Sequence, residues 1–184
     1  PTQGSRRERL IASGLLVALC VLYLGTLYPG VGGRFNHGDS AKFQFIGVIL
    51  GVSHPPGNPL YLVINALWVR LPLPLSAAEK ITLLSAVLGV GTVAFVYRAV
   101  RYLGTFWAAV VASASLALGP LFWTLSTEAE VYTLNTFLLA ATALYLTRWW
   151  MTGQARALTP ALACFLLGLA NHLTLLLLAP PGAF

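Results

Sequence analysis

Charge is what this sequence has least of. Only 9% of its 184 residues are Asp, Glu, Lys or Arg, and the acids number five. An ordinary soluble domain carries roughly a quarter charged residues, so that class is excluded. Cysteine is nearly absent as well. Cys20 and Cys164 both sit in apolar runs, so they read as small buried hydrophobes that form no disulfide and say nothing of redox compartment. There is no internal repeat and no low-complexity tail.

What is present is hydrocarbon. Apolar residues make up 58% of the chain and the mean hydropathy is +0.79. The expectation is an all-α polytopic membrane protein whose bilayer is its first partner. The net charge of +6 is then a signal of topology and gives no reason to expect nucleic acid.

Five spans are expected, at 10–28, 77–97, 105–122, 129–149 and 158–178, with 29–76 as a long loop. Arg6, Arg7 and Arg9 precede the first run, and no small-x-small cleavage site follows it, so it reads as an uncleaved span. Seven arginines (6, 7, 9, 98, 101, 148, 156) fall in or beside the three segments on the N-terminal side of the membrane. Arg34, Lys42, Arg70 and Lys80 fall in or beside the much longer loop on the other side. The positive-inside rule therefore sets the N-terminus in the cytoplasm and the loop outside. The Leu/Ala/Gly-rich composition suggests a bacterial inner membrane. All 184 residues read as one transmembrane domain, expected to be a piece of a longer polypeptide because the chain starts at Pro1 and stops just past an apolar run.

Two short helices are expected in the loop. Asp39 or Ser40 can cap the first, which runs to about Leu50 before Gly51 and the prolines. Asn58 at N-cap and Pro59 at N1 open the second, which ends near Leu71 ahead of Pro72 and Pro74. Neither can cross a bilayer, so both belong to its interface. Ser76-x-x-Glu79 and Thr127-x-x-Glu130 read as capping boxes for the second and fourth spans. The tryptophans cluster near span ends as interfacial anchors.

This threading brings ionisable groups together. Asp39 and His54 lie on the outer loop, with Glu128 and Glu130 at the outer end of the fourth span. His172 falls about 14 residues, roughly 21 Å, into the fifth span. Ionisable groups beside lipid are costly, and their convergence marks an outward-facing site. Glu128, Tyr132 and Asn135 follow at i, i+4 and i+7, one polar stripe on the fourth span. Each residue also has a plainer reading. Asp39 can be a helix cap, His54 a wetted interfacial side chain, Glu130 the N3 residue of its capping box, and Asn171-His172 an interhelical hydrogen bond. Lys42, at i+3 from Asp39, can pair with it or hold a lipid phosphate.

Four blocks carry a resemblance. They are Gly38-Asp39-Ser40; His54-Pro55-Pro56-Gly57-x-Pro59-Leu60-Tyr61; Phe122-Trp123 with Glu130-Val131-Tyr132-Thr133-Leu134-Asn135; and Gly168-Leu169-Ala170-Asn171-His172-Leu173. Together, over about 28–180, they resemble the TMEM-type protein O-mannosyltransferase family of the GT-C glycosyltransferases. The His-Pro-Pro-Gly block is the specific part. The resemblance implies a membrane enzyme that moves a sugar, mannose first, from a polyprenyl-phosphate carrier to a protein or glycan hydroxyl on the outer face. Asp39 is then the general base of an inverting displacement, and Lys42, His54, Glu128, Glu130, Tyr132, Asn135 and His172 bind substrate. No cofactor and no metal ligand set is expected, a divalent cation being left open. The sequence holds no Asp-x-Asp pair, which agrees with a lipid-linked donor. Lys42 departs from the family pattern, in which an acid is frequent three residues after the aspartate. GT-C enzymes have more spans than five, so part of the site is expected elsewhere in the longer chain. The alternative is a non-enzymatic transporter or assembly subunit for lipid-linked glycans, whose polar residues line a path.

Overall fold

The structure, a computed structural model, describes residues 5–34, 37–55 and 57–178. Every regular element among them is helical: α1 (Arg6–Gly25), α2 (His37–Ile49), α3 (Pro59–Val69), α4 (Ala77–Leu103), α5 (Phe106–Ala117), α6 (Pro120–Ser126), α7 (Val131–Thr152) and α8 (Leu158–Leu169). Short 3-10 segments at Ala155–Ala157 and Leu173–Leu178 flank α8.

α4 is the axis. Its 27 residues begin at a capping box in which the Ser76 hydroxyl accepts from the Glu79 amide at 3.2 Å. The Glu79 carboxylate accepts from the Ser76 amide at 2.7 Å. One face of α4 packs with α2, α3 and α7 around Phe43, Tyr61, Ile81, Leu84, Leu134 and Leu138, all buried. Another packs with α1, α5 and α6 around Leu19, Tyr23, Ala86, Val93 and Ala117. The Tyr23 hydroxyl donates to the Ala117 carbonyl at 2.8 Å and ties α1 to α5. The candidate site lies over the first of these cores.

Among the described residues two helices, α1 and α4, are long and apolar enough to cross a membrane. The pair α5 and α6 makes a third if it is one span bent by 67°. The expected 105–122 span is thus broken where Gly119 and Pro120 open α6, proline at N1 having no amide to continue the ladder. The expected 158–178 helix also stops early. α8 ends at Leu169, and Asn171 and His172 lie in a break before the 3-10 segment. α7 has 22 residues but lies outside the membrane-crossing set, carrying Thr133, Asn135, Thr136, Thr142 and Arg148.

Two expected caps are absent. α2 begins at His37, so Asp39 and Ser40 lie in its first turn, where Asp39 complements the positive end of the helix dipole. α7 begins at Val131 with Glu130 as the N-cap residue itself, and its side chain caps nothing. Thr127 instead closes α6, its hydroxyl donating to Trp123 and Thr124 carbonyls. The two short loop helices do form. At 13 and 11 residues they are roughly 20 and 17 Å long, short of a hydrocarbon core of about 30 Å. Asn58 does stand at the N-cap of α3, but in the left-handed region at φ 44 and without a side-chain capping bond.

Candidate active site

α2 directs neighbouring residues to opposite sides. Asp39 and Lys42, three apart, share a half-exposed face, where Lys42 Nζ donates to Asp39 Oδ1 at 2.7 Å. Ser40 and Gln44, four apart, share the buried face. The loop before α3 brings His54 to the same carboxylate, with Nε2 3.3 Å from Asp39 Oδ1. His54 Nδ1 is 2.9 Å from the Pro55 carbonyl oxygen. A carbonyl can only accept, so Nδ1 carries a proton. The two sequence blocks Gly-Asp-Ser and His-Pro thus meet at one carboxylate oxygen.

Beneath this exposed layer lies a buried one. Ser40 Oγ donates to Glu130 Oε1 at 3.2 Å, and the Glu130 amide donates to Ser85 Oγ on α4 at 3.1 Å. Glu130, one residue ahead of α7, is 1% exposed. Burial, aided by the negative charges of Asp39 and Glu128, pushes its carboxyl up to about 7, against the lowering effect of the Ser40 bond and Lys42. Glu128 is fully buried and serves the loop: its Oε1 accepts from the Arg34 amide at 2.6 Å and pairs with the Arg34 guanidinium at 3.8 Å. Gly33 makes this possible, because a Cβ there would stand 2.6 Å from Ser40 Oγ and overlap the Glu128 carboxylate. Gln44 fastens the same glycine loop: its Oε1 accepts from the Gly32 amide at 2.7 Å, and its Nε2 donates to Gly30 O and Thr82 Oγ1.

A third group stands around the break after α8. His172 Nδ1 accepts from the Thr174 amide at 3.3 Å, and its ring is 5.8 Å from that of Tyr132. Asn135 Nδ2 donates to Thr174 Oγ1 at 2.9 Å, and Asn171 Nδ2 to the Val131 carbonyl at 3.5 Å. The backbone reaches from here to the His-Pro loop, where the Leu60 amide donates to the Ala170 carbonyl at 3.3 Å.

Of the expected site residues, Asp39, Lys42 and His54 therefore share one cluster. Glu130 lies behind it through Ser40, and Glu128 holds the adjoining loop. Tyr132, Asn135 and His172 form the separate third group. The expected stripe of Glu128, Tyr132 and Asn135 does not exist as such. Glu128 precedes the helix, Asn135 is buried and Tyr132 is 44% exposed. Gln44, Gly33 and Thr174 are site-shaping residues the sequence reading passed over, and Ser40 is one it took only for a helix cap. A signal was available for Gln44, an amide inside an apolar helix at i+4 from Ser40. Among the described residues no three His, Cys, Asp or Glu side chains stand close enough to share a metal ion.

A family model described as the protein O-mannosyl-transferase TMEM260 N-terminal domain matches residues 39–184, starting at Asp39 itself. Protein O-mannosyl-transferase tmem260 of Dictyostelium discoideum is 28% identical, the match covering 92% of this chain and 22% of that protein. Protein O-mannosyl-transferase TMEM260 of Mus musculus is 29% identical, over 72% of this chain and 18% of its own length. The chain thus spans about a fifth of the length of these relatives. No solved structure matches it.

Proposed function

The chain belongs to the family of the protein O-mannosyl-transferase TMEM260 N-terminal domain, and on that premise we propose that it supplies the base-bearing part of a membrane mannosyltransferase of the GT-C type. The donor is a polyprenyl-phosphate mannose and the acceptor a hydroxyl. The acceptor oxygen attacks the anomeric carbon, the bond from that carbon to the phosphate oxygen breaks, and the hydroxyl proton passes to Asp39. A single displacement inverts the anomeric centre. The leaving polyprenyl phosphate departs as an anion and needs cationic support more than a proton. Lys42 beside Asp39 and the half-exposed guanidinium of Arg34 are the cations at this site.

The observation that carries the reading is the meeting of Asp39, Lys42 and His54 at one carboxylate oxygen on the accessible side of α2. Lys42 and His54 hold the Asp39 carboxylate in place on that side, where it can accept the proton of an incoming hydroxyl. Tyr132, Asn135 and His172 are offered to the sugar or acceptor. The arginine bias supports a cytoplasmic start for α1 and an outer-face cluster. The test uses the purified full-length protein with a hydroxyl-bearing acceptor and two donors. The proposal expects transfer from mannosyl polyprenyl phosphate, none from a nucleotide-linked mannose, and a product of inverted anomeric configuration by NMR. Retention of configuration, or use of the nucleotide donor alone, would overturn it.

A further inference from the structure

A second feature lies away from this cluster, on the other face of α4. α1 and α5 diverge below the Tyr23–Ala117 bond and leave a groove floored by α4. Its volume is about 490 Å³, within the range of small-molecule sites. Its walls are apolar over most of their length, with Leu16, Leu22, Ala94, Val110 and Ala114 among the lining residues. On α1 it runs from Ala12 to Leu22, a rise of roughly 15 Å. That is half of a hydrocarbon core of about 30 Å, the depth of one leaflet.

The two ends of the groove differ. Arg98 and Tyr97 line one end. Arg101, one turn further along α4, pairs with Glu8 at 3.5 Å, which sets the N-terminal turn of α1 beside it. Arg6 and Arg7 in that turn are exposed, as is Arg98. Glu8 is the acid of this end, and Arg101 occupies it. The excess of positive charge at one mouth of an apolar slot of one-leaflet depth is complementary to a single class of molecule. Ser113 also lines the slot, and its buried hydroxyl has no hydrogen-bond partner among the described residues. The ester carbonyl of a glycerolipid is an acceptor of the kind it lacks.

We propose that the groove between α1, α4 and α5 binds a phospholipid with an anionic headgroup, its phosphate at Arg98 and its acyl chain along the slot. The long arginine stem packs on the apolar wall while the guanidinium meets the phosphate. This site stands apart from the transfer cluster and does not depend on that assignment.

The test is native mass spectrometry of the full-length protein released from nanodiscs holding equal amounts of phosphatidylglycerol and phosphatidylcholine. The wild type is expected to retain phosphatidylglycerol about fivefold over phosphatidylcholine, the weight of one basic side chain at an anionic surface. Arg98→Gln should bring the two lipids level. Ala114→Trp and, independently, Ala18→Trp fill the slot from facing walls and should lower retention of both lipids. Val111→Trp adds the same bulk to α5 off the groove and should match the wild type. Two slot variants and melting curves separate lost binding from lost folding. No preference in the wild type, or retention unchanged in Arg98→Gln and in both slot variants, would overturn the proposal. Displacement of phosphatidylglycerol by added polyprenyl phosphate would do so too, reassigning the slot to that lipid.

Discussion

Asp39 and Ser40 are adjacent in the chain and lead to two different environments. Asp39 reaches a wet surface with Lys42 and His54, while Ser40, fully buried, reaches Glu130. The buried partner makes a prediction about pH. Glu130 has its carboxyl raised from 4.5 to about 7, chiefly by burial. The folded state therefore holds a proton that the unfolded chain has already lost, and stability falls as pH rises from about 4.5 through about 7. The loss is on the order of 3 kcal/mol. Glu130→Gln keeps the shape and removes the titration, so its melting temperature is expected to be flatter across this window and higher than wild type at pH 8. Identical pH profiles for the two proteins would contradict the assignment. Gly33→Ala is expected to cost about 1–3 kcal/mol in thermal melting, because the new methyl group meets Ser40 and the Glu128 carboxylate. At this scale the sequence marked out residue types and spacings more readily than contacts. Asp39 and His54, which the threading set on one loop, meet at one carboxylate oxygen. Ser40 was legible only as a cap, since nothing local tells which face of a short apolar helix is covered.

Helices were legible where a cap and an apolar run agree. The Ser76/Glu79 box opens α4 as expected, and Ser76→Ala is expected to lower stability by about 1 kcal/mol with no change in transfer rate, measured by melting and activity together. Thr127-x-x-Glu130 shows the limit of a four-residue pattern: the same spacing falls across the end of α6 and the start of α7. The bend between α5 and α6 carries a Gly119-Pro120 signal, which reads equally well as the end of a span. The break at Asn171-His172 has Gly168 as its only local signal, and it follows from contacts: Leu175 packs where a Cβ on Gly168 would stand, and Asn171 and Ala170 bond to Val131 and Leu60. α2 and α3 meet where Gly47 faces Asn65, whose Nδ2 donates to the Phe43 carbonyl at 2.8 Å. A Cβ at Gly47 would overlap that side chain and stand 3.0 Å from the Ala66 amide nitrogen. Gly47→Ala is accordingly expected to push the two loop helices apart and lower the melting temperature, as overpacked contacts do.

The whole molecule is a helical membrane domain that places one polar cluster and one apolar slot on different faces of α4. Composition was enough for the class, because a chain with so few charges cannot coat itself for water. The number of spans was not legible, since α7 is as long as a span while carrying polar groups for its neighbours, and bends do not show in hydropathy. Orientation is testable apart from chemistry. Val52→Cys, at an 85% exposed position beside the site, is expected to react with an impermeant thiol reagent on intact cells, and Leu103→Cys, 64% exposed at the far end of α4, only after permeabilisation. The central claim concerns Asp39, and single-turnover transfer by full-length Asp39→Asn, with thermal melting alongside, tests it most directly. Asparagine keeps the size and removes the base. The account predicts a folded protein that melts like wild type and transfers mannose from the polyprenyl-phosphate donor roughly 10²-fold or more slowly. A well-folded Asp39→Asn protein working near the wild-type rate would contradict it.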